Sequence, residues 1–213
     1  MSQRLALNLA ADLVGLERRH ASHPGSVMNS SEDLICRART GDQEAFRLIF
    51  QRYARPVLSF IYDIVGHRDL SEELTQETFV RAYKSLKNIR DDTKLASWLF
   101  GIGRNVAREA LRARQKEIHN FLEADFPDSA FCDSAQSSPD DDLLNKELNA
   151  AMHHALAALD DDRRIVFALK VFQQLSYHEI VEVTGFSIAK VKTDLHRARI
   201  EVRRRIRPLL ETK

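Results

Sequence analysis

From residue 32 onward apolar residues recur at three- and four-residue spacing, which predicts a succession of amphipathic helices, and no strand-like alternation of useful length interrupts them. The pattern is sharpest near its end. Ser176 followed three residues later by Glu179 predicts a capping box and a helix beginning near Tyr177. Ile180, Val181 and Val183 give that helix an apolar side, Thr184-Gly185-Phe186 supplies a turn, and Ser187 is placed to cap a second helix. Gly185 is the residue best able to take positive φ there. In the second helix Ile188, Val191, Leu195, Ala198 and Val202 form one stripe. The opposite side carries Lys190, Lys192, Arg197, Arg199, Arg203, Arg204, Arg205 and Arg207, opposed by Asp194 and Glu201. A capped helix, a glycine turn and a second helix of one-sided positive charge fit a helix-turn-helix facing a phosphate backbone.

The segment from Glu32 to about Ile118 is also helical in pattern, with breaks at Gly41-Asp42, around Pro56, at Gly66-His67-Arg68-Asp69 and at Arg90-Asp91-Asp92-Thr93. Pro56 either kinks a helix or opens a new one. Asp69 to Tyr83 reads DLSEELTQETFVRAY, with Leu74, Phe79 and Val80 on one side and Glu72, Glu73, Gln76 and Glu77 on the other. That acidic side fits an ordinary solvated face and a docking surface for a basic partner equally well. Further on, Trp98, Leu99, Ile102, Val106 and Leu111 form an apolar face beside Arg104, Arg108, Arg112, Arg114 and Lys116. Trp98 reads as a core residue or, beside those arginines, as a stacking surface for bases. Gly101 and Gly103 each cost a helix interior about 1 kcal/mol relative to alanine, so close packing or a local bend is expected there. Helical periodicity resumes at Leu143 and runs through Leu148, Met152, Leu156, Leu159, Ile165, Leu169 and Phe172 into the helix-turn-helix.

The expected fold class is therefore all-α, with two small helical domains, the second containing the helix-turn-helix. A chain of 213 residues with 44% hydrophobic content has room for two such cores. The net charge of +1 hides a local segregation, because residues 120 to 142 hold acidic, serine and proline residues and neither lysine nor arginine. This stretch reads as a solvated linker. A sharper alternative places Phe121, Phe126 and Phe131 and the acidic groups in a basic channel of a partner. The expected boundaries are 1–30 for an N-terminal extension, 31–118 for the first domain, 119–142 for the linker and 143–213 for the second domain. In the extension, Leu5, Leu9, Leu13 and Leu16 predict a short amphipathic helix, and Met28 offers an alternative translation start.

Cys36 and Cys132 are the only cysteines and have no metal-ligand spacing, so neither a disulfide framework nor a zinc site is expected and a reducing cytoplasm is the natural compartment. Adjacent His153 and His154 would point about 100° apart on a helix and read as surface histidines. No apolar run is long enough to cross a bilayer, and no signal peptide is evident. Without a nucleophile and base constellation, a phosphate loop or a metal motif, no enzymatic activity, metal or cofactor is expected.

Taken together, ELTQETFVRAY, WLFGIGRN and FSIAKVKTDLHRAR resemble, in this order, segments of bacterial sigma factors of the extracytoplasmic-function (ECF) group of the sigma-70 family. The resemblance covers about Glu32 to Arg207. It implies that Glu72, Gln76, Glu77 and Arg81 belong to a helix docking on the β′ clamp of core RNA polymerase, with the β flap as a further contact. It further implies that Asp91, Thr93 and Lys94 lie in a loop capturing an unstacked base of the minus-ten element, followed by Trp98, Arg104, Asn105 and Arg108 in strand separation. Lys190, Lys192, Thr193, His196, Arg197 and Arg199 then face the minus-thirty-five duplex. Gly101 and Gly103 fall where the family more usually has a larger basic residue and alanine, and Asp194 where a basic residue is common. Promoter DNA, core polymerase and an anti-sigma factor are the implied partners. The alternatives left by the residues alone are a stand-alone helix-turn-helix regulator and a helical protein-binding adaptor.

Overall fold

The computed structural model describes residues 31–89, 94–122 and 143–211, and among these no strand occurs. The N-terminal amphipathic helix, Met28, Asp91, Thr93, Cys132 and the acidic stretch 123–142 lie outside the described residues, as do the side chains of Phe121 and Leu148.

Helix α1 spans Ser31–Arg39 and α2 spans Gln43–Val65. Asp42 joins them, accepting hydrogen bonds from the amides of Glu44 (2.9 Å) and Ala45 (3.2 Å) as the cap of α2. Its other carboxylate oxygen takes Arg37 at 2.8 Å, and that guanidinium holds the Asp42 carboxyl below its ordinary range. Pro56 lies within α2 and does not end it. An internal proline costs about 3 kcal/mol. Burial of Val57, Phe60, Ile61 and Ile64 on the same helix stabilises it by roughly 1.5–3 kcal/mol each, which outweighs that cost.

Gly66 ends α2 at φ +72°, and His67 caps α3, Arg68–Ser85. The inner side of α3 is unusual in carrying Ser71, Thr75 and Thr78 beside Leu74, Phe79 and Ala82. Each hydroxyl donates to the carbonyl four residues earlier, at 2.6, 2.7 and 2.7 Å, so small polar side chains are buried without an orphaned group. Val80 departs from its expected place, being 44% exposed, because it is rotated about 100° around the helix from the buried Phe79. A short 3₁₀ turn, Leu86–Asn88, precedes the undescribed residues 90–93.

Helix α4, Leu95–Leu122, continues past the expected end at Ile118. At Gly103 a methyl group would lie 3.6 Å from Ile61 on α2 and 3.7 Å from Thr78 on α3, ordinary van der Waals contact, so the packing admits alanine there. Gly101 has no such neighbour, so close packing does not explain it.

The second half comprises α5 (Leu143–Ala157), α6 (Asp161–Phe167), α7 (Tyr177–Thr184) and α8 (Ile188–Glu211). Helix α6 runs on into a π turn over Ala168–Phe172. The capping box forms, with the Glu179 amide donating to Ser176 Oγ at 3.2 Å and the Ser176 amide donating to Glu179 Oε2 at 2.7 Å. Gly185 ends α7 at φ +72°, and Ser187 accepts from the Lys190 amide at 3.2 Å. Val191, Leu195, Ala198 and Val202 are buried, whereas Ile188 is 40% exposed. It begins α8, ahead of the turns that meet α5 and α6.

The two halves share one continuous apolar core. Helix α4 lies along α7, and α2 packs on α6 and the π turn. Arg164 of α6 donates to the carbonyls of Leu156 (3.0 Å), Ala157 (3.1 Å) and Leu159 (2.9 Å), and across the seam to that of Ile64 (2.8 Å). His153 is not a free surface histidine: it packs edge-on to Tyr62, with ring centroids 4.8 Å apart. Burial, and then the charge of His154, holds its pKa below the ordinary value.

Replacing Arg164 with alanine orphans these carbonyls and should destabilise the protein by about 3–4 kcal/mol, read as a lower denaturant midpoint at unchanged slope. A second expectation concerns Asp63, 9% exposed, whose Oδ2 finds no hydrogen-bond partner among the described residues and whose pKa burial raises well above 3.8. Its favourable contribution is present below the unfolded pKa and is lost as pH rises through the folded one. Asp63→Asn should therefore match the native chain near pH 4 and exceed it by about 1–2 kcal/mol near pH 8, measured as the melting temperature at the two pH values.

Candidate nucleic-acid interface

The outer face of α8 presents Lys192, Thr193, His196 and Arg197 to solvent, followed by Arg203, Arg204 and Arg207. Lys192 stands over the Tyr177 ring at 5.7 Å, while Lys170 approaches the same ring at 5.1 Å. Arg199 is half-buried, with its Nε lacking a partner among the described residues. Asp194, expected to oppose the basic face, is instead 7% exposed on the inner side. Its position follows from the 3.6-residue period, which places it beside the buried Val191, Leu195 and Ala198. Asp194 accepts from Lys190 at 2.7 Å, and this bond raises the Lys190 pKa.

A seam of charge follows. Phe186, in the turn before α8, lies between Lys190 Nζ (4.6 Å from the ring centroid) and the Arg104 guanidinium (5.6 Å). Lys190 also meets Asp162 at 3.2 Å, and Arg108 meets the same carboxylate at 3.9 Å. Lys94 bonds Glu182 of α7 at 2.5 Å. Lys94, Arg104 and Arg108 thus each meet a group of the opposite half, while Lys190 meets Asp162 and Phe186 from within its own half. Arg104 is half-buried, and burial, then the nearby charge of Arg108, lowers its pKa. Trp98 is partly buried against the core, and Asn105 is exposed, accepting from Arg104 at 3.5 Å. Arg112, Arg114 and Lys116 are exposed farther along α4.

The residues selected on α3 divide into two sets. Glu72 and Gln76 are exposed, with Glu72 paired to Arg68 at 3.1 Å. Arg81 instead bonds both Glu77 and Glu109, each at 2.8 Å, which raises its pKa and leaves Glu77 partly neutralised. Gln76 edges a groove of about 520 Å³ between α2 and α3, walled by Phe46, Phe50, Phe79, Val80 and Tyr83. Sequence reasoning missed Phe46, Phe50, Asp162 and Glu182 as surface groups. An aromatic residue at Phe186, where a turn needs only a small polar one, was the available hint of the seam. Among the described residues no cluster could hold a metal ion, and no helix is long and apolar enough to cross a membrane.

Comparison with known proteins agrees with this arrangement. The profile for sigma-70 region 2 matches residues 49–117, spanning most of α2 to α4, and that for sigma-70 region 4 matches residues 149–202, spanning the helix-turn-helix. The RNA polymerase sigma-H factor of Pseudomonas aeruginosa is 29% identical over 188 residues, 86% of this chain and 97% of that protein. The ECF RNA polymerase sigma-E factor of Escherichia coli K12 is 29% identical over 181 residues, covering 83% and 94%. Among solved structures, the sigma factor RpoE, co-crystallised with the anti-sigma factor NepR from Bartonella quintana, shares the fold at a TM-score of 0.63 and 23% identity, covering 76% of this chain and 96% of that one. CnrH, in complex with the cytosolic domain of CnrY, does so at 0.60 and 22%, covering 86% and 98%. A chain in which region 2 precedes region 4, and which aligns with ECF factors across nearly their whole length, belongs to the ECF group of the sigma-70 family and is an RNA polymerase sigma factor.

Proposed function

We propose that this sigma factor docks on core polymerase through α3, with Glu72 and Gln76 as direct contacts and the Glu77–Arg81–Glu109 set holding the helix surface in shape. The second half extends toward the β flap. Lys192, Thr193, His196 and Arg197 read the minus-thirty-five duplex from α8, with Lys190 and Arg199 beside them. Asp91, Thr93 and Lys94, followed by Trp98, Arg104, Asn105 and Arg108, meet the minus-ten element. The observation that carries this reading is the exposed basic face of α8, presented by a capped helix-turn-helix whose inner stripe is buried from Val191 to Val202. Base-edge donors on such a helix suit a major groove. The two sequence-level alternatives account for only one half of the molecule each. A regulator needs no region 2, and an adaptor needs no basic recognition face.

Lys94, Arg104 and Arg108 are held across the seam, so they reach DNA only when the halves part, while Lys190 is paired with Asp162 and Asp194 in its own half. Docking of the two halves at separate places on polymerase supplies that separation. The protein then contributes no bond-making chemistry of its own, acts in the cytoplasm, and in our reading has an anti-sigma partner, as RpoE does. The functional units are 31–118 and 143–213, joined by the acidic segment 119–142.

The direct test is transcription by core polymerase on fragmented genomic DNA of the source, mapping starts that require this protein. New starts sharing two spaced upstream elements are expected, and their absence with folded protein counts against the reading. Lys192→Ala with Arg197→Ala should weaken promoter binding of the holoenzyme by about 2–4 kcal/mol, flatten its salt dependence and leave core affinity intact. Glu72→Ala with Gln76→Ala should weaken core binding about tenfold, as titrated by fluorescence anisotropy. Loosening the seam with Asp162→Asn and Glu182→Gln should strengthen binding of the free protein to duplex DNA several-fold at low salt, each removed surface pair being worth up to about 1 kcal/mol.

A further inference from the structure

Phe50, Val80 and Tyr83, exposed by 42%, 44% and 54%, leave the groove between α2 and α3 open to solvent, with Phe46 and Phe79 lining it behind them. Phe46 meets Tyr83 edge-on at 5.0 Å and Phe50 meets Phe79 at 4.8 Å, so α2 and α3 run antiparallel along it. An exposed apolar strip rimmed by polar groups marks a surface for another protein. The order of charges along α3 says which one.

Val80 is its midpoint. Glu73 and Gln76 precede it by seven and four residues, and Lys84 and Lys87 follow it by four and seven. Steps of four and seven stay on one side of a helix, and all four of these polar side chains are exposed. Lys87 lies in the 3₁₀ turn that continues α3. The strip is therefore acidic about 10 Å to one side of Val80 and basic about 10 Å to the other. None of the ion pairs among the described residues uses Glu73, Lys84 or Lys87.

We propose that this groove is filled by the same groove of a second copy of the chain, with α3 packed antiparallel on α3 about a twofold axis at Val80. A twofold interface is isologous: what lies a given distance before the axis on one chain faces what lies the same distance after it on the other. Glu73 of each copy then faces Lys87 of the other, Gln76 faces Lys84, and the two Val80 side chains meet with Phe50 of each chain beside them. Tyr83 falls level with Glu77, whose charge Arg81 already offsets at 2.8 Å, so no like charges meet along the strip. A strip of one sign, or one acidic at both ends, would repel its own copy. A partner of different sequence requires no such complementarity about a single residue. The contact is small, at the weak end of specific interfaces, and fits a dissociation constant of about 10 µM.

The consequence for activity rests on the docking role given above to Glu72 and Gln76. A second copy covers the same face of α3, so the dimer and the polymerase complex exclude each other. The chain thereby restrains its own docking as it accumulates.

Two measurements on the full chain separate the pairing from its consequence. Sedimentation equilibrium from about 1 to 200 µM, without polymerase, should show a reversible monomer-dimer equilibrium near 10 µM. Val80→Asp should weaken it at least tenfold. Glu73→Lys alone, or Lys87→Glu alone, sets like charges face to face twice in each dimer and should weaken it about tenfold. Mixing those two single variants should restore the native affinity as a heterodimer, because both facing pairs are again opposite in charge, a recovery that a folding defect would not allow. A monomer throughout, a dimer indifferent to Val80→Asp or to the single reversals, or no recovery on mixing overturns the proposal. In the second measurement, core polymerase added to the dimeric chain should take up one copy per enzyme, counted by light scattering. Two copies per enzyme overturn the exclusion. Failure of polymerase to bind both the native chain and Val80→Asp sinks the docking role, and sedimentation still decides whether the groove pairs with itself.

Discussion

Arg164 stands where α2 and α5 both end and α6 begins, and its guanidinium donates to carbonyls at both of those ends. The last carbonyls of a helix have no intrahelical donor, and they lie at the negative end of its dipole. A planar cation with several donors satisfies them together, which a lysine could not do with the same geometry. Burial lowers the pKa of Arg164, with Asp161 and Asp160 acting in the opposite direction, and the group remains a cation. Because one of its bonds crosses from α6 to Ile64, the orientation of region 4 against region 2 is tied to the termination of two helices. The remaining contacts of the seam fall into place around that fixed point.

The seam has two parts of different physical character. Its inner part consists of Arg164, the edge-on pair of Tyr62 and His153, and the contact of α4 with α7. Its outer part consists of Lys94 with Glu182, Arg108 with Asp162, and Arg104 over Phe186. Side chains a third to a half exposed, as in the Lys94–Glu182 pair, contribute little individually and are screened. The cations read as DNA contacts are thus concentrated in the part that is least costly to open. Phosphates present the same charge as the carboxylates that hold these cations, which is why the proposed parting of the halves would exchange one set of anionic partners for another.

The first half is organised around the contact of α2, α3 and α4 at Gly103, Ile61 and Thr78. Helices approach closely there because α3 turns small residues inward and satisfies their hydroxyls on its own backbone. Leu74 and Phe79 are buried on that side as well, whereas Val80 and Tyr83 stay exposed and line the open groove beside the acidic start of α3.

Local rules were enough to read the helical class, the capping box of Ser176 and Glu179, the glycine turn at Gly185 and the buried stripe from Val191 to Val202. Each depends on residues within one or two turns of one another, where spacing alone specifies geometry. The exposure of Lys192, Thr193, His196 and Arg197 on the outer face of α8 was legible for the same reason. Pro56 was undecided because its fate depended on how much apolar surface α2 could bury against other helices. Val80, Asp194 and His153 were misplaced because a side chain's partner lay on an element distant in sequence, or because one helical position decided between inside and outside. The convergence of Lys94, Arg104, Arg108 and Lys190 on Phe186, Asp162 and Glu182 was decided only by the tertiary structure. Charge on a helix is written in its sequence, but the carboxylate it meets is set by how two halves pack, and here that packing is fixed by a guanidinium bound to carbonyls that the sequence does not mark.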